Sequence, residues 1–138
     1  MDGTRHRLLI VEDNAADVLF LKRALREDGV NADIDVANDG DVAIDYLENC
    51  PDGQAPNLVI IDINLPKRDG IEVLRKCRFR PVLAETKTLV LTSSDATSDQ
   101  SRADMLGADA YIRKPRDLSE FARIVATVRS LLKKNRPE

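Results

Sequence analysis

Leu58-Val59-Ile60-Ile61-Asp62-Ile63-Asn64-Leu65-Pro66 is the stretch on which the fold turns. Apolar residues on consecutive positions read as a strand buried on both faces, as the central strands of a parallel sheet are. Asp62 is oddly placed for a core residue and well placed for a ligand at a strand end. Three other segments end in the same way: Glu12-Asp13 follow Leu8-Leu9-Ile10-Val11, Thr92 follows Leu89-Val90-Leu91, and Lys114 comes soon after Tyr111-Ile112. If these segments are parallel strands of one sheet, their C-terminal ends share an edge. Three carboxylates, a hydroxyl and an ammonium then converge on one spot.

The segments between them read as helices. Asn14 caps a helix carrying Val18, Leu21 and Leu25 at helical spacing, and Gly29 closes it. Asp17 reads as a helix-entry residue and Asp69 as a turn residue. Ile34-Asp35-Val36 is a short second strand. A helix from about Asp41 to Glu48 follows, with Val42, Ile44 and Leu47 on or near its buried side. Cys50 to Asn57, with Pro51, Gly53 and Pro56, is a loop. A third helix runs from about Gly70 to Cys77. Ser98 caps a fourth that ends near Gly107, and a fifth runs from about Leu118 to Lys133. The order is (βα) repeated five times, an α/β chain whose five-stranded parallel sheet is doubly wound and covered on both faces. In such folds ligands sit outside the carboxyl ends of the strands, where the strand order reverses.

A chain of 138 residues, 43% hydrophobic and 33% charged, has the size and composition of one globular domain, here expected over 1–138. A net charge of -3 gives no general electrostatic reason to bind nucleic acid or an anionic membrane. No apolar run is long enough to span a bilayer, and Met1-Asp2-Gly3-Thr4-Arg5 lacks the apolar core of a signal peptide. Cys50 and Cys77 form no metal-ligand pattern, so a cytoplasmic protein with free thiols is expected. His6, the sole histidine, precedes the first strand, and a carrier of phosphohistidine is not expected.

Glu12, Asp13 and Asp62 are hard oxygen ligands suited to Mg²⁺. Packed together without a cation they would repel and raise one another's pKa values. Mg²⁺ cancels two of the three charges. A phosphoryl group on Asp62 restores negative charge, and Lys114 is placed to neutralise it. Thr92 supplies a hydroxyl for a phosphoryl oxygen. Phosphoryl transfer needs in-line positioning and charge stabilisation rather than covalent work by the protein, and this set provides both.

Leu9-Ile10-Val11-Glu12-Asp13-Asn14, the run from Asp62 to Gly70, Leu91-Thr92-Ser93-Ser94 and Lys114-Pro115 together resemble the receiver domain of two-component response regulators. The resemblance covers nearly the whole chain, and it implies the CheY-like, flavodoxin-like fold. It implies Asp62 as phosphoacceptor, with Glu12, Asp13, Asp62 and the backbone carbonyl of Asn64 as Mg²⁺ ligands. It implies Thr92 and Tyr111 as a switch pair and Lys114, before a usually cis peptide to Pro115, as the phosphate-binding lysine. The donor it implies is a phosphohistidine on a sensor histidine kinase. Within the family, Asp13 to Val18 and Asn64 to Gly70 are similar to the small regulators of bacterial and cyanobacterial phytochromes, which would make a bacteriophytochrome the kinase.

Two other classes compete. Phosphatases of the haloacid dehalogenase type also use an aspartyl phosphate, Mg²⁺, a Thr or Ser and a Lys. They need a second Asp two residues after the nucleophile, where this chain has Asn64, and their acidic pair follows the lysine. A receiver-shaped binding module that is never phosphorylated usually lacks an acidic residue or the lysine, and this chain keeps them. On the last helix, Leu118, Phe121, Val125, Val128 and Leu132 form the stripe expected to face the sheet. Ile124, Leu131 and Ala122 widen it, and a homodimer face using Ile124, Val128 and Leu131 is one expectation.

Overall fold

The computed structural model describes residues 5–93, 96–114, 117 and 121–133. Five strands alternate with five helices: β1 His6–Val11, α1 Ala15–Glu27, β2 Ala32–Ala37, α2 Gly40–Glu48, β3 Leu58–Ile61, α3 Gly70–Phe79, β4 Lys87–Thr92, α4 Thr97–Met105, β5 Ala110–Arg113 and α5 Phe121–Lys133. A 3-10 turn, Pro81–Leu83, separates α3 from β4. All strand pairs are parallel, in the order β2-β1-β3-β4-β5. This is the CheY-like, flavodoxin-like arrangement, whose strand order reverses between β1 and β3.

The central strands β1, β3 and β4 carry apolar runs because alternate residues enter two separate cores. Leu8, Ile10, Leu58, Ile60, Leu89, Leu91 and Ile112 pack with Leu21 and Leu25 of α1 and with Ile124, Val125, Val128 and Leu131 of α5. Leu9, Val11, Val59, Ile61 and Val90 pack on the opposite face with α2, α3 and Ala103 of α4. Each fully buried Leu or Ile contributes about 1.5–3 kcal/mol, so the central strands β1, β3 and β4 anchor the domain from both sides. No helix among the described residues is long and apolar enough to cross a membrane.

The helix ends follow local chemistry. The Asn14 side chain accepts from the Asp17 N–H at 3.1 Å, and Asp69 caps α3 through the Ile71 N–H at 2.6 Å. Gly29 ends α1 at φ 79, with its own N–H on Arg26 O and the Val30 N–H on Leu25 O, the paired bonds of a Schellman turn.

Several expectations need correction. Ser98 does not cap α4: the helix begins at Thr97 after Ala96, which gives no side-chain cap. Val42 is 45% exposed, and it is Ala43 that is buried beside Ile44 and Leu47. His6 is the first residue of β1 rather than a residue before it. Ile124, Val128 and Leu131 are buried against the sheet and α1, so they do not form a homodimer face. The described outward residues of α5, including exposed Ala122, Arg123, Ala126, Ser130 and Lys133, are small or polar. Leu118 lies outside the described residues.

The backbone at the end of β3 passes unusually close to the start of α3. A Cβ at Gly70 would lie 2.1 Å from Asp62 O and 2.7 Å from the Ile63 Cα, so only glycine allows this approach. Gly70→Ala is expected to cost about 2–3 kcal/mol of unfolding free energy by forcing the strand end and the helix apart. Urea denaturation measures it, and an unchanged midpoint would show that the contact yields cheaply.

Candidate functional site

The parallel register brings the candidate residues Glu12, Asp62, Thr92 and Lys114 to one edge. Val11 is level with Ile61, Ile61 with Val90, and Thr92 with Arg113. One backbone bond pins each residue that leaves a strand: Glu12 N–H to Ala37 O at 3.0 Å, Asp62 N–H to Val11 O at 3.0 Å, and Lys114 N–H to Thr92 O at 2.8 Å. Glu12, Asp62, Thr92 and Lys114 are thus held by the sheet itself and not by a pliable loop.

The carboxylates of Glu12, Asp13 and Asp62 each offer an oxygen within 4.8 Å of the others. Glu12 and Asp62 are buried and Asp13 is exposed. Three hard donors at this spacing, one of them open to solvent, fit a small divalent cation that keeps part of its water shell. Glu12 Oε2 also accepts from the Asn14 N–H at 3.1 Å, and Asp62 Oδ1 from the Asn64 N–H at 3.1 Å. The second bond folds the Asp62–Asn64 segment back over the carboxylate. Lys67, farther along that loop, is a non-glycine residue in the left-handed region at φ 69, and its ammonium lies 3.4 Å from Asp39.

Lys114 reaches into this acidic group. Its Nζ lies 2.5 Å from Glu12 Oε1, 2.9 Å from Asp62 Oδ2 and 2.8 Å from Asp17 Oδ2. Burial works against the ammonium charge, but the hydrogen bonds to Asp17, Glu12 and Asp62 outweigh it and hold Lys114 above the ordinary lysine range. Lys114 therefore stays charged well past neutral pH. Glu12 moves the other way from a typical paired carboxylate. Burial pushes its carboxyl up, more than the Lys114 and Asn14 hydrogen bonds pull it down, and the Asp62 charge adds to the rise.

Thr92, at the end of β4, is fully buried. Tyr111 sits on the neighbouring strand level with Val90, two residues back on the same face, and packs against the core beneath α2, α3 and α4. Its hydroxyl is buried without a hydrogen-bond partner. Burial, with the charge of Asp99 behind it, pushes the phenol up. Ser94 and Pro115, and with Pro115 the expected cis peptide, lie outside the described residues.

The expected site residues Glu12, Asp13, Asp62, Thr92 and Lys114 all come to this one edge, with Asn64 and Tyr111 beside it. Asp17, a helix-entry residue by sequence, joins them unexpectedly. The tertiary structure puts it on Lys114 across 97 positions of sequence. Its one sequence signal is its place three residues after the Asn14 cap, which turns it back toward the strand ends. Below the site, a cavity of about 290 Å³ opens between α1 and α5 from Glu12, Asp17, Asp62 and Lys114 to Leu21, Phe20 and Phe121.

Comparison with known proteins agrees with this arrangement. The family model described as the response regulator receiver domain matches residues 8–126. The transcriptional regulatory protein TrcR of Mycobacterium tuberculosis is 38% identical over 97% of this chain, which spans 48% of that regulator. Response regulator Rcp1 of Synechocystis is 32% identical over 89% of this chain and 86% of its own length. The crystal structure of the Mn(2+)-bound form of Rcp1 superposes with a TM-score of 0.81 at 30% identity, covering 96% of this chain and 99% of that one. The phosphorylated cyanobacterial phytochrome response regulator RcpA superposes with a TM-score of 0.86 at 28% identity, over 97% of this chain and all of that one.

The raised Glu12 carboxyl carries a stability prediction. A group whose folded pKa is raised favours the fold when protonated, and that contribution is lost as pH rises from the ordinary glutamate range through the folded value. Glu12→Gln, neutral at every pH, should therefore raise the metal-free melting temperature at pH 7. The gain should vanish once the pH falls below the ordinary glutamate range. A melting temperature lowered at pH 7 would mean that the Lys114 pairing outweighs burial.

Proposed function

The chain belongs to the response regulator receiver domain family, and on that premise we propose that it is a phosphorylation-driven signalling switch with Asp62 as its phosphoacceptor. The observation that carries this reading is the Asp62 carboxylate itself: 4% exposed at the end of a buried strand, within one acidic triad and 2.9 Å from a buried lysine. Receiver domains take their phosphoryl groups from histidine kinases. In the proposed reaction a carboxylate oxygen of Asp62 attacks the phosphorus in line, an O–P bond forms, and the P–N bond to the kinase histidine breaks with its electron pair returning to the imidazole. The residues that would hold Mg²⁺ are Glu12, Asp13, Asp62 and the backbone carbonyl of Asn64. A bound divalent cation would supply charge neutralisation between the carboxylate and the incoming phosphoryl oxygens.

The rest is the work of this chain's own side chains. Lys114 neutralises the phosphoryl charge that develops on Asp62, and its sheet-anchored backbone keeps it there without reorganisation. The Thr92 hydroxyl donates to a phosphoryl oxygen. Its movement opens space that the Tyr111 ring fills, and the unpartnered Tyr111 hydroxyl supports the idea that this side chain has more than one place to go. The signal leaves through the surface that this movement alters. The product is an acyl phosphate that the chain itself helps to form and to lose, so the protein is a phosphoacceptor and not an enzyme acting on other substrates. Asn64 in place of a second aspartate also argues against a general phosphatase.

The whole of 1–138 acts as one receiver domain in this reading, in the cytoplasm. The likeness to RcpA, a phytochrome response regulator, supports a bacteriophytochrome as the sensor kinase. Incubation with acetyl phosphate and Mg²⁺ should add the mass of one phosphoryl group, and Asp62→Asn should abolish the gain. No gain, or a gain that survives that substitution, overturns the proposal.

A further inference from the structure

Three carboxylates share the Lys114 ammonium, and they are not equivalent. Glu12 and Asp62 belong to the acidic triad, so both are the groups that would hold a divalent cation, and Asp62 is in addition the proposed phosphoacceptor. Asp17 belongs to neither set. It stands on α1, its side chain 36% exposed, with Oδ2 at 2.8 Å from Nζ. Its backbone is anchored as well. Its N–H is held at 3.1 Å by the side chain of Asn14, the cap of α1, in the first turn of a helix of 13 residues.

We infer that Asp17 is a positioning residue for phosphorylation: it holds the Lys114 ammonium over Asp62 independently of the carboxylates that the chemistry engages. The cap, the helix turn and the carboxylate form a rigid bracket on the α1 side, and the β5 backbone forms the other support. Without the bracket, the side-chain partners left to Lys114 among the described residues, Glu12 and Asp62, are ones that the reaction itself engages. A cavity of about 290 Å³ beside it, lined by Leu21, Phe20 and Phe121 among others, leaves the freed side chain room to move off the site. A small misplacement of a charge-stabilising group lowers the rate without removing the acceptor or the metal ligands.

The inference rests on the reading of Asp62 as phosphoacceptor, and the test separates the two. Wild type, Asp17→Asn and Asp17→Ala are compared for the rate constant of modification at saturating acetyl phosphate and Mg²⁺, for Mg²⁺ affinity by calorimetry, and for the ¹⁵N signal of the Lys114 ammonium in the metal-free protein. Asp17→Asn keeps an oxygen that accepts from the ammonium but carries no charge; Asp17→Ala keeps neither. The Asp17→Ala rate should fall on the order of 10-fold, with the Asp17→Asn rate recovering most of the loss. Mg²⁺ affinity should stay within about twofold in both variants, because Asp17 is not one of the ligands and is partly exposed to screening solvent. The Lys114 ¹⁵N signal should move toward that of a solvated lysine in Asp17→Ala alone.

An Asp17→Ala protein modified at the wild-type rate or faster overturns the inference. So does Asp17→Asn as slow as Asp17→Ala, which would make the effect one of net charge and not of position. Wild type that takes no phosphoryl group removes the phosphoacceptor reading instead. The ¹⁵N comparison still judges the Asp17–Lys114 bracket, and an unchanged signal in Asp17→Ala overturns it.

Discussion

One ammonium group in the midst of four carboxylates organises the C-terminal edge of this sheet. Lys114 contacts Glu12, Asp17 and Asp62 directly, and Asp13 completes the acidic set beside them. Like charges brought this close are costly unless something intervenes, and a single lysine cannot neutralise them all. The fold tolerates the excess because Glu12 and Asp62 each follow a strand whose last four residues lie buried in the core. Function is built on this imbalance. The site as it stands favours any change that adds positive charge near the carboxylates, and a divalent cation is the simplest.

That arrangement depends on packing far from the charges. Odd and even strand positions enter two cores, one beneath α1 and α5 and the other beneath α2, α3 and α4. Burial on both faces holds β1, β3 and β4 in register: β1 and β3 end level, and β4 runs two residues farther to Thr92. The close approach of Gly70 to Asp62 O then turns the chain sharply from strand to helix and keeps the Asp62 carboxylate at the edge. The stability that the acidic cluster costs locally is offset by these cores, a common division of labour at functional sites.

The architecture was largely legible in the residues. Consecutive apolar positions at Leu58 to Ile61 cannot be a half-buried strand, and helical spacing between the strands requires parallel crossovers. The residues at the strand ends followed from the same logic, since parallel strands share their carboxyl edge. Element ends were less legible where capping is weak. α4 begins at Thr97 with no side-chain cap, so the nearest serine is a misleading signal. In α5 the apolar stripe proved wider than the heptad-like set suggested. A helix packed against both a sheet and the neighbouring α1 needs a broad apolar face, and Ile124 and Leu131 serve that core instead of a second copy.

The sequence by itself determined which side chains stand at strand ends, because alternation and run length report the local environment of each element. It thereby determined the acidic triad, the hydroxyl and the lysine as one group. Only the tertiary structure decided that α1 and α5 share one face of the sheet, and hence that Asp17 meets Lys114 across 97 residues. Periodicity tells which side of a helix is apolar, but not which strand end its first turn overlooks. That depends on the strand order and on the hand of the crossovers, which are properties of the whole sheet.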